Sequence, residues 1–192
     1  KERKIEPECV IDEGGSIIHG VMPGLEAPAA LVGIAEKGYV SYALTVRQPG
    51  GHSSTPPPQS AIGILSAAIA KLEANPFPGG MTGPSKEMFA AFGPEMPFAQ
   101  RAVFANLWLF SPLVERMLSG APETNAIVRT TTAVTMISGG VKDNVLPPEA
   151  KAVVNFRILP GETYKSVCER ITKIIDDDRV EIAAIEKDPR DP

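Results

Sequence analysis

His52, one of only two histidines, stands in the run Pro49-Gly50-Gly51-His52-Ser53-Ser54-Thr55-Pro56. The glycine pair ahead of it lets the backbone turn and present an imidazole, a group that donates a hydrogen bond or moves a proton near neutral pH. Without further context the same run reads as an exposed loop histidine. Asp12-Glu13 closes the short apolar run Cys9-Val10-Ile11. A carboxylate at the carboxyl end of a buried strand lies where α/β sheets build active sites, and it offers an oxygen to a divalent cation. A solvated turn has the same composition. Asn144, in Val141-Lys142-Asp143-Asn144-Val145-Leu146-Pro147, precedes a strand that carries Arg157 near its far end. Arg157 falls on the strand face opposite Phe156, hence away from the helices. A guanidinium there suits bidentate binding of a carboxylate, or else a surface ion pair that contributes little. Ser53 beside His52 is not a triad geometry, and no nucleophile elbow, P-loop or dinucleotide fingerprint is present.

The elements that must hold these residues follow from periodicity. Val40, Tyr42, Leu44 and Val46 alternate with small or polar residues, which predicts a half-buried strand. Ile62, Leu65, Ile69 and Leu72 recur at helical spacing, predicting a helix over 59–74. Residues 126–137, rich in Val, Ile and Thr, read as a long strand, and Ala152, Val154, Phe156 and Ile158 alternate in another. Thr163 can cap a helix striped by Val167, Ile171, Ile174 and Ile175. Val180, Ile182 and Ala184 form a last strand. Strand, helix, strand, strand, helix, strand is the βαββαβ pattern of an α+β, ferredoxin-like fold: an antiparallel sheet with two helices on one face and the other face left to solvent or a partner.

Two stretches stand outside that pattern. Residues 75–125 are an insertion carrying most of the phenylalanines and the single tryptophan, Trp108. Ser111-Pro112 signals a helix start, so two short helices are expected near 98–106 and 112–118, either packing as a satellite cluster or covering a ligand or partner surface. Residues 5–37 hold two evenly apolar runs, Cys9–Ile11 and Ala29–Ala35, that read as buried strands lacking neighbours. The chain is therefore divided into 1–37, whose strands want neighbours it does not supply; 38–187, the ferredoxin-like domain; and 188–192, a linker. It begins at Lys1 without Met or leader pattern, and the expectation is an excised piece of a longer protein.

Composition excludes several classes. The chain has 192 residues, 43% of them hydrophobic and 22% charged, with a net charge of −4. A negative chain has no counterion-release drive toward nucleic acid, so no nucleic-acid partner is expected. No apolar run approaches a membrane span, and two cysteines make neither a disulfide framework nor a zinc knuckle.

Taken as an ordered set, Val10-Ile11-Asp12-Glu13-Gly14-Gly15, Gly33-Ile34-Ala35-Glu36-Lys37-Gly38, Gly50-Gly51-His52-Ser53-Ser54, Asn144-Val145-Leu146-Pro147 and Asn155-Phe156-Arg157 resemble the zinc-dependent aminoacylase/carboxypeptidase family. The likeness is greatest to its Gly-X carboxypeptidase and N-fatty-acyl-amino-acid synthase/hydrolase branch. The resemblance implies an α/β catalytic domain with two zinc ions per active site, of which 1–37 is a fragment, and an inserted lid, 38–187 here, that forms a homodimer. It implies a zinc-ligating role for Glu13, supported by Asp12. For His52 it implies stabilisation of an oxyanion in the partner subunit's site. For Asn144 and Arg157 it implies contacts to the carbonyl and carboxylate of a small peptide or N-acyl amino acid. The family's other zinc ligands have no counterpart in this sequence, so the chain alone is expected to be inactive. The alternative is a free-standing ferredoxin-like module that binds a small ligand or dimerises without catalysis.

Overall fold

The computed structural model describes residues 15–20, 24–81, 83–186 and 189–192. Two short strands, β1 (Ser16–Ile18) and β2 (Ala29–Leu31), pair antiparallel. There follow β3 (Gly38–Arg47), β4 (Gly51–His52) and α1 (Ala61–Ala74). The insertion contains α2 (Gly83–Phe92), α3 (Phe98–Ala105), α4 (Leu107–Leu118) and α5 (Pro122–Val128). The chain then runs through β5 (Thr131–Ser138), β6 (Val145–Leu146), β7 (Glu149–Ile158), α6 (Tyr164–Ile175) and β8 (Val180–Ala184).

The main sheet is antiparallel in the order β5-β7-β3-β8. Apart from the insertion and the small strands, its elements follow one another as the periodicity predicts. Val40, Tyr42, Leu44 and Val46 of β3 share one face with Ala152, Val154, Phe156 and Ile158 of β7. Helix α1 covers β3 and β7 on that face, and α6 covers β3 and β8. Phe156 sits at the centre, fully buried, edge-on to Tyr42 and Phe77 with ring centroids at 6.0 and 5.9 Å. Burial, with Cys168 alongside, holds the Tyr42 hydroxyl protonated beyond its ordinary range, and that hydroxyl donates to the Tyr164 carbonyl at 2.7 Å. Both core helices have side-chain caps. Ser60 accepts from the Gly63 N–H at 3.2 Å, and Thr163 with Ser166 forms a reciprocal capping box.

Several expectations need correction. The face of β3 away from the helices is not open: Ser41, Ala43 and Thr45 are buried too. As a central strand, β3 has neighbours on both sides. Asn155 donates to the Ser41 hydroxyl at 3.0 Å, and the Glu186 carboxylate accepts from the Ser41 N–H at 2.8 Å. Of the run Ala29–Ala35 only Ala29–Leu31 is a strand: pairing stops at Leu31, and Val32 and Ile34 are 79% and 62% exposed. Residues 126–128 end α5 instead of starting a strand. Pro122 at the first helical turn starts that helix, and Val128 is buried at its end. The helix placed at 112–118 begins at Leu107, with Pro112 inside it. Leu107 and Val114, one heptad apart on one face, both pack into the cluster around Phe89, and this packing outweighs the lost hydrogen bond. Helices α2 and α5 were not among the expected elements. The insertion builds its own small core, in which Phe89 and Phe104 stack at 5.3 Å.

Chain entry and departure from the sheet lie side by side. Tyr39 and Arg190 exchange backbone hydrogen bonds of 2.8 and 3.1 Å. Gly38 permits the contact, since a Cβ there would lie 2.5 Å from the Arg190 carbonyl oxygen. Among the described residues no helix is long and apolar enough to cross a membrane.

Candidate functional site

Beyond Arg47 and Glu149 the β3–β7 ladder continues as a narrow ribbon. Gln48 N–H donates to the Pro148 carbonyl at 3.0 Å, and β4 pairs with β6 so that His52 faces Val145. Ser53 N–H donates to the Asn144 carbonyl at 3.1 Å. The ribbon thus joins His52 and Asn144, ninety-two positions apart in sequence, at one end of the sheet.

His52 is exposed, yet its ring is held. The Ser54 N–H donates to Nδ1 at 3.2 Å, and the Ser54 hydroxyl lies 2.8 Å from the same nitrogen. A backbone donor on Nδ1 selects the neutral tautomer that carries its proton on Nε2, leaving an outward N–H donor. Asn144 is half-buried, and its Oδ1 is shielded from solvent with no hydrogen-bond partner among the described residues. Such an oxygen is a binding group in want of a donor.

Arg157 lies elsewhere. It pairs with Tyr39 in the β3–β7 ladder, and its guanidinium stacks 4.7 Å from the Tyr39 ring centroid. Eight residues of strand at about 3.3 Å each, roughly 26 Å, separate that position from Arg47, and His52 lies farther still. Within one protomer, therefore, His52 and Asn144 form one pole and Arg157 the other.

The sequence reading passed over Lys37, although its parity with Tyr39 across the β3 boundary was a usable signal. Lys37 is half-buried and donates to the Arg129 carbonyl at 2.7 Å. Burial lowers its pKa below the ordinary lysine value, the nearby Arg157 charge lowers it further, and Glu162 opposes both. Arg157 and Lys37 thus make a cationic end to the sheet.

The carboxylate Glu13, with Asp12, lies outside the described residues. His19 is exposed in the turn after β1. Among the described residues no three His, Cys, Asp or Glu side chains come together in a way that could hold a metal ion.

The family model described as peptidase dimerisation domain matches residues 34–182. The chain is 46% identical over 177 residues to N-fatty-acyl-amino acid synthase/hydrolase PM20D1 of Xenopus tropicalis, covering 92% of this chain and 35% of that protein. It is 44% identical over 179 residues to probable carboxypeptidase S-like 2 of Dictyostelium discoideum, covering 93% and 34%. A solved M20 family metallo-carboxypeptidase, Sso-CP2 from Sulfolobus solfataricus, aligns with a TM-score of 0.49 and 18% identity over 78% of this chain and 42% of that one. The chain spans about a third of the length of the curated relatives it matches.

Proposed function

Because the chain belongs to the peptidase dimerisation domain family, we propose that it is the ferredoxin-like lid and dimerisation domain of a longer hydrolase. That hydrolase cleaves peptide or N-acyl amide bonds next to a free carboxylate. Residues 38–187 are the lid, 1–37 come from the catalytic domain, and 188–192 return to it. The backbone bridge between Tyr39 and Arg190 supports this division, since an inserted domain must be entered and left at one place.

The observation that carries the functional reading is the separation of the two poles. A substrate small enough for one active site cannot span the roughly 26 Å or more between Arg157 and His52 of one sheet. A site using both must take them from two subunits. Arg157 binds the substrate carboxylate in its own subunit's site, where its stacking on Tyr39 presents the fork in one orientation. His52 reaches the partner's site, where the Nε2 proton donates to the oxyanion that develops on the attacked carbonyl. Asn144, at the same pole, offers its Nδ2 hydrogens to that carbonyl, while its unpartnered Oδ1 accepts from an N–H of the substrate. Dimerisation proceeds through the free edge of β5, where Met136 and Ile137 are 66% and 62% exposed and one row of backbone groups is unpaired.

The two zinc ions implied for the longer protein are not accommodated by the described residues. The chemistry assigned to this chain is accordingly confined to binding, orientation and hydrogen-bond donation. In the longer protein His52→Ala is expected to lower kcat by about 10²–10³ with bound metal per chain unchanged. Near-normal turnover of that variant would refute the oxyanion role, and loss of metal would show His52 to be a ligand instead.

A further inference from the structure

Helix α4 is apolar on both sides. Leu107 and Val114 pack into the cluster around Phe89, whereas Trp108, Leu109, Pro112, Leu113, Arg116 and Met117 are exposed. Leu109, Leu113 and Met117 recur at four-residue spacing and so form one row, and Trp108 begins the row beside it. Trp108 is 80% exposed and Met117 72%. A helix with apolar residues all round belongs in an interior, and an open apolar row marks a contact surface.

The insertion already has a partner besides the sheet. Its Phe92, Met96 and Phe104 pack around Leu25 and Ala29, which precede the sheet domain. The backbones approach closely there: Gly24 has a φ of +93°, and a Cβ on it would collide with the Gln100 side chain of α3. Farther along the same segment, Lys37 donates to the Arg129 carbonyl just past α5. Residues 24–37 are thus held near both ends by the insertion and its exit.

We propose that the exposed row of α4 docks on the catalytic domain of its own polypeptide, which makes the insertion a strap between that domain and the lid. The inference rests on the reading of 1–37 as catalytic-domain chain and gives the insertion a task. Three observations select this occupant. The insertion is already joined to residues 25 and 29, so a surface on α4 extends an existing contact. About two thirds of the length of the relatives lies outside the matched part, ample to cover one helix face. Arg116 is the one charged residue on the exposed side of α4, whereas a helix held on lipid headgroups is rich in Lys and Arg. The opposing surface is accordingly apolar, with an acceptor for Arg116. A lid strapped in this way does not swing freely about the Tyr39–Arg190 crossing; it moves only when the α4 contact opens.

The test is photo-cross-linking in the purified longer protein, prepared as an equal mixture of chains labelled with light and heavy nitrogen. p-Benzoylphenylalanine replaces Leu113, an exposed position where folding is not threatened, or Glu169, exposed on α6, as a control. Leu113 is expected to give cross-links to peptides outside residues 1–192, joined within one isotope label, and Glu169 none. Cross-links between light and heavy chains would make the occupant a second copy. No cross-link, with flotation on phosphatidylcholine–phosphatidylglycerol vesicles that Leu113→Glu abolishes, would make it a lipid surface. Either result overturns the inference, as does the absence of both cross-link and flotation. A probe at Ile17, exposed on β1, tests the reading beneath it. Intrachain cross-links from Ile17 but not from Leu113 leave 1–37 in the catalytic domain and sink the strap alone; none from either sinks both. Leu113→Glu should also speed amide exchange of 107–118 about tenfold while β7 keeps its protection, and unchanged exchange there would refute the docking.

Discussion

If a complete site takes Arg157 from one subunit and His52 from the other, two inactive variants should repair each other. Consider the longer protein carrying His52→Ala and a differently tagged copy carrying Arg157→Gln. Each homodimer lacks one group at both sites. Loss of the oxyanion donor lowers turnover by about 10²–10³, and loss of a bidentate carboxylate contact lowers kcat/KM by about 10². In the heterodimer, the site built on the His52→Ala chain keeps its own Arg157 and receives His52 from its partner, so it is whole. The other site lacks both groups. Heterodimers purified through both tags should therefore show about half the wild-type kcat per dimer, with KM unchanged. A random equal mixture, half of it heterodimer, should show about a quarter. These fractions follow from the strand geometry, because the ladder holds Tyr39–Arg157 and Arg47–Glu149 at opposite ends of β3. Were both residues used within one chain, every site in the heterodimer would be defective. Heterodimer activity at the level of the single variants would refute the shared-site argument.

Three further outcomes follow. Ile137→Lys removes apolar edge surface from each protomer and sets like charges near one another across a two-fold axis; at about 1.5 kcal/mol per copy it should weaken the dimer about 10² fold in sedimentation equilibrium, with an unchanged circular dichroism spectrum. Phe156→Ala empties a fully buried site between Tyr42 and Phe77 and should cost about 3–5 kcal/mol, read as a lower urea midpoint with little change in slope; a loss below about 1 kcal/mol would contradict the central packing described for it. Lys37 binds its proton less tightly folded than unfolded, because burial and Arg157 lower its pKa from 10.5. The unfolded state then carries more protons, and this group's contribution to stability rises as pH climbs from the lowered value toward the ordinary one. Carbon-13 methyl-lysine NMR should find its midpoint below that of the other lysines, and Arg157→Gln should move it upward.

Much of the fold was legible because burial imposes a period. The alternation of Val40, Tyr42, Leu44 and Val46, and of Ala152 to Ile158, is the signature of strands covered on one face; the stripe on α6 matches the helix that covers them, whereas on α1 Leu65 and Leu72 are buried with Ile64 and Ile62 is 41% exposed. Thr163 announced its helix because a side-chain oxygen satisfies backbone N–H groups within the same few residues. The insertion was less legible. Its helices are fixed by mutual packing around Phe89 and Phe104, and sequence order does not disclose which aromatic meets which. For the same reason Pro112 misplaced the start of α4: a local preference worth a few kcal/mol yielded to burial of Leu107 and Val114.

At the candidate site the division is sharper. By itself the sequence determined residue types: an imidazole after a glycine pair, an amide ahead of a strand, and a guanidinium on the face opposite Phe156. These are properties of a residue and its immediate neighbours. Only the tertiary structure decided that the β4–β6 ribbon brings His52 and Asn144 together. It also decided that Arg157 lies at the far end beside Lys37. Those relations depend on the register of strands about a hundred residues apart, and register is set by the burial of whole faces at once.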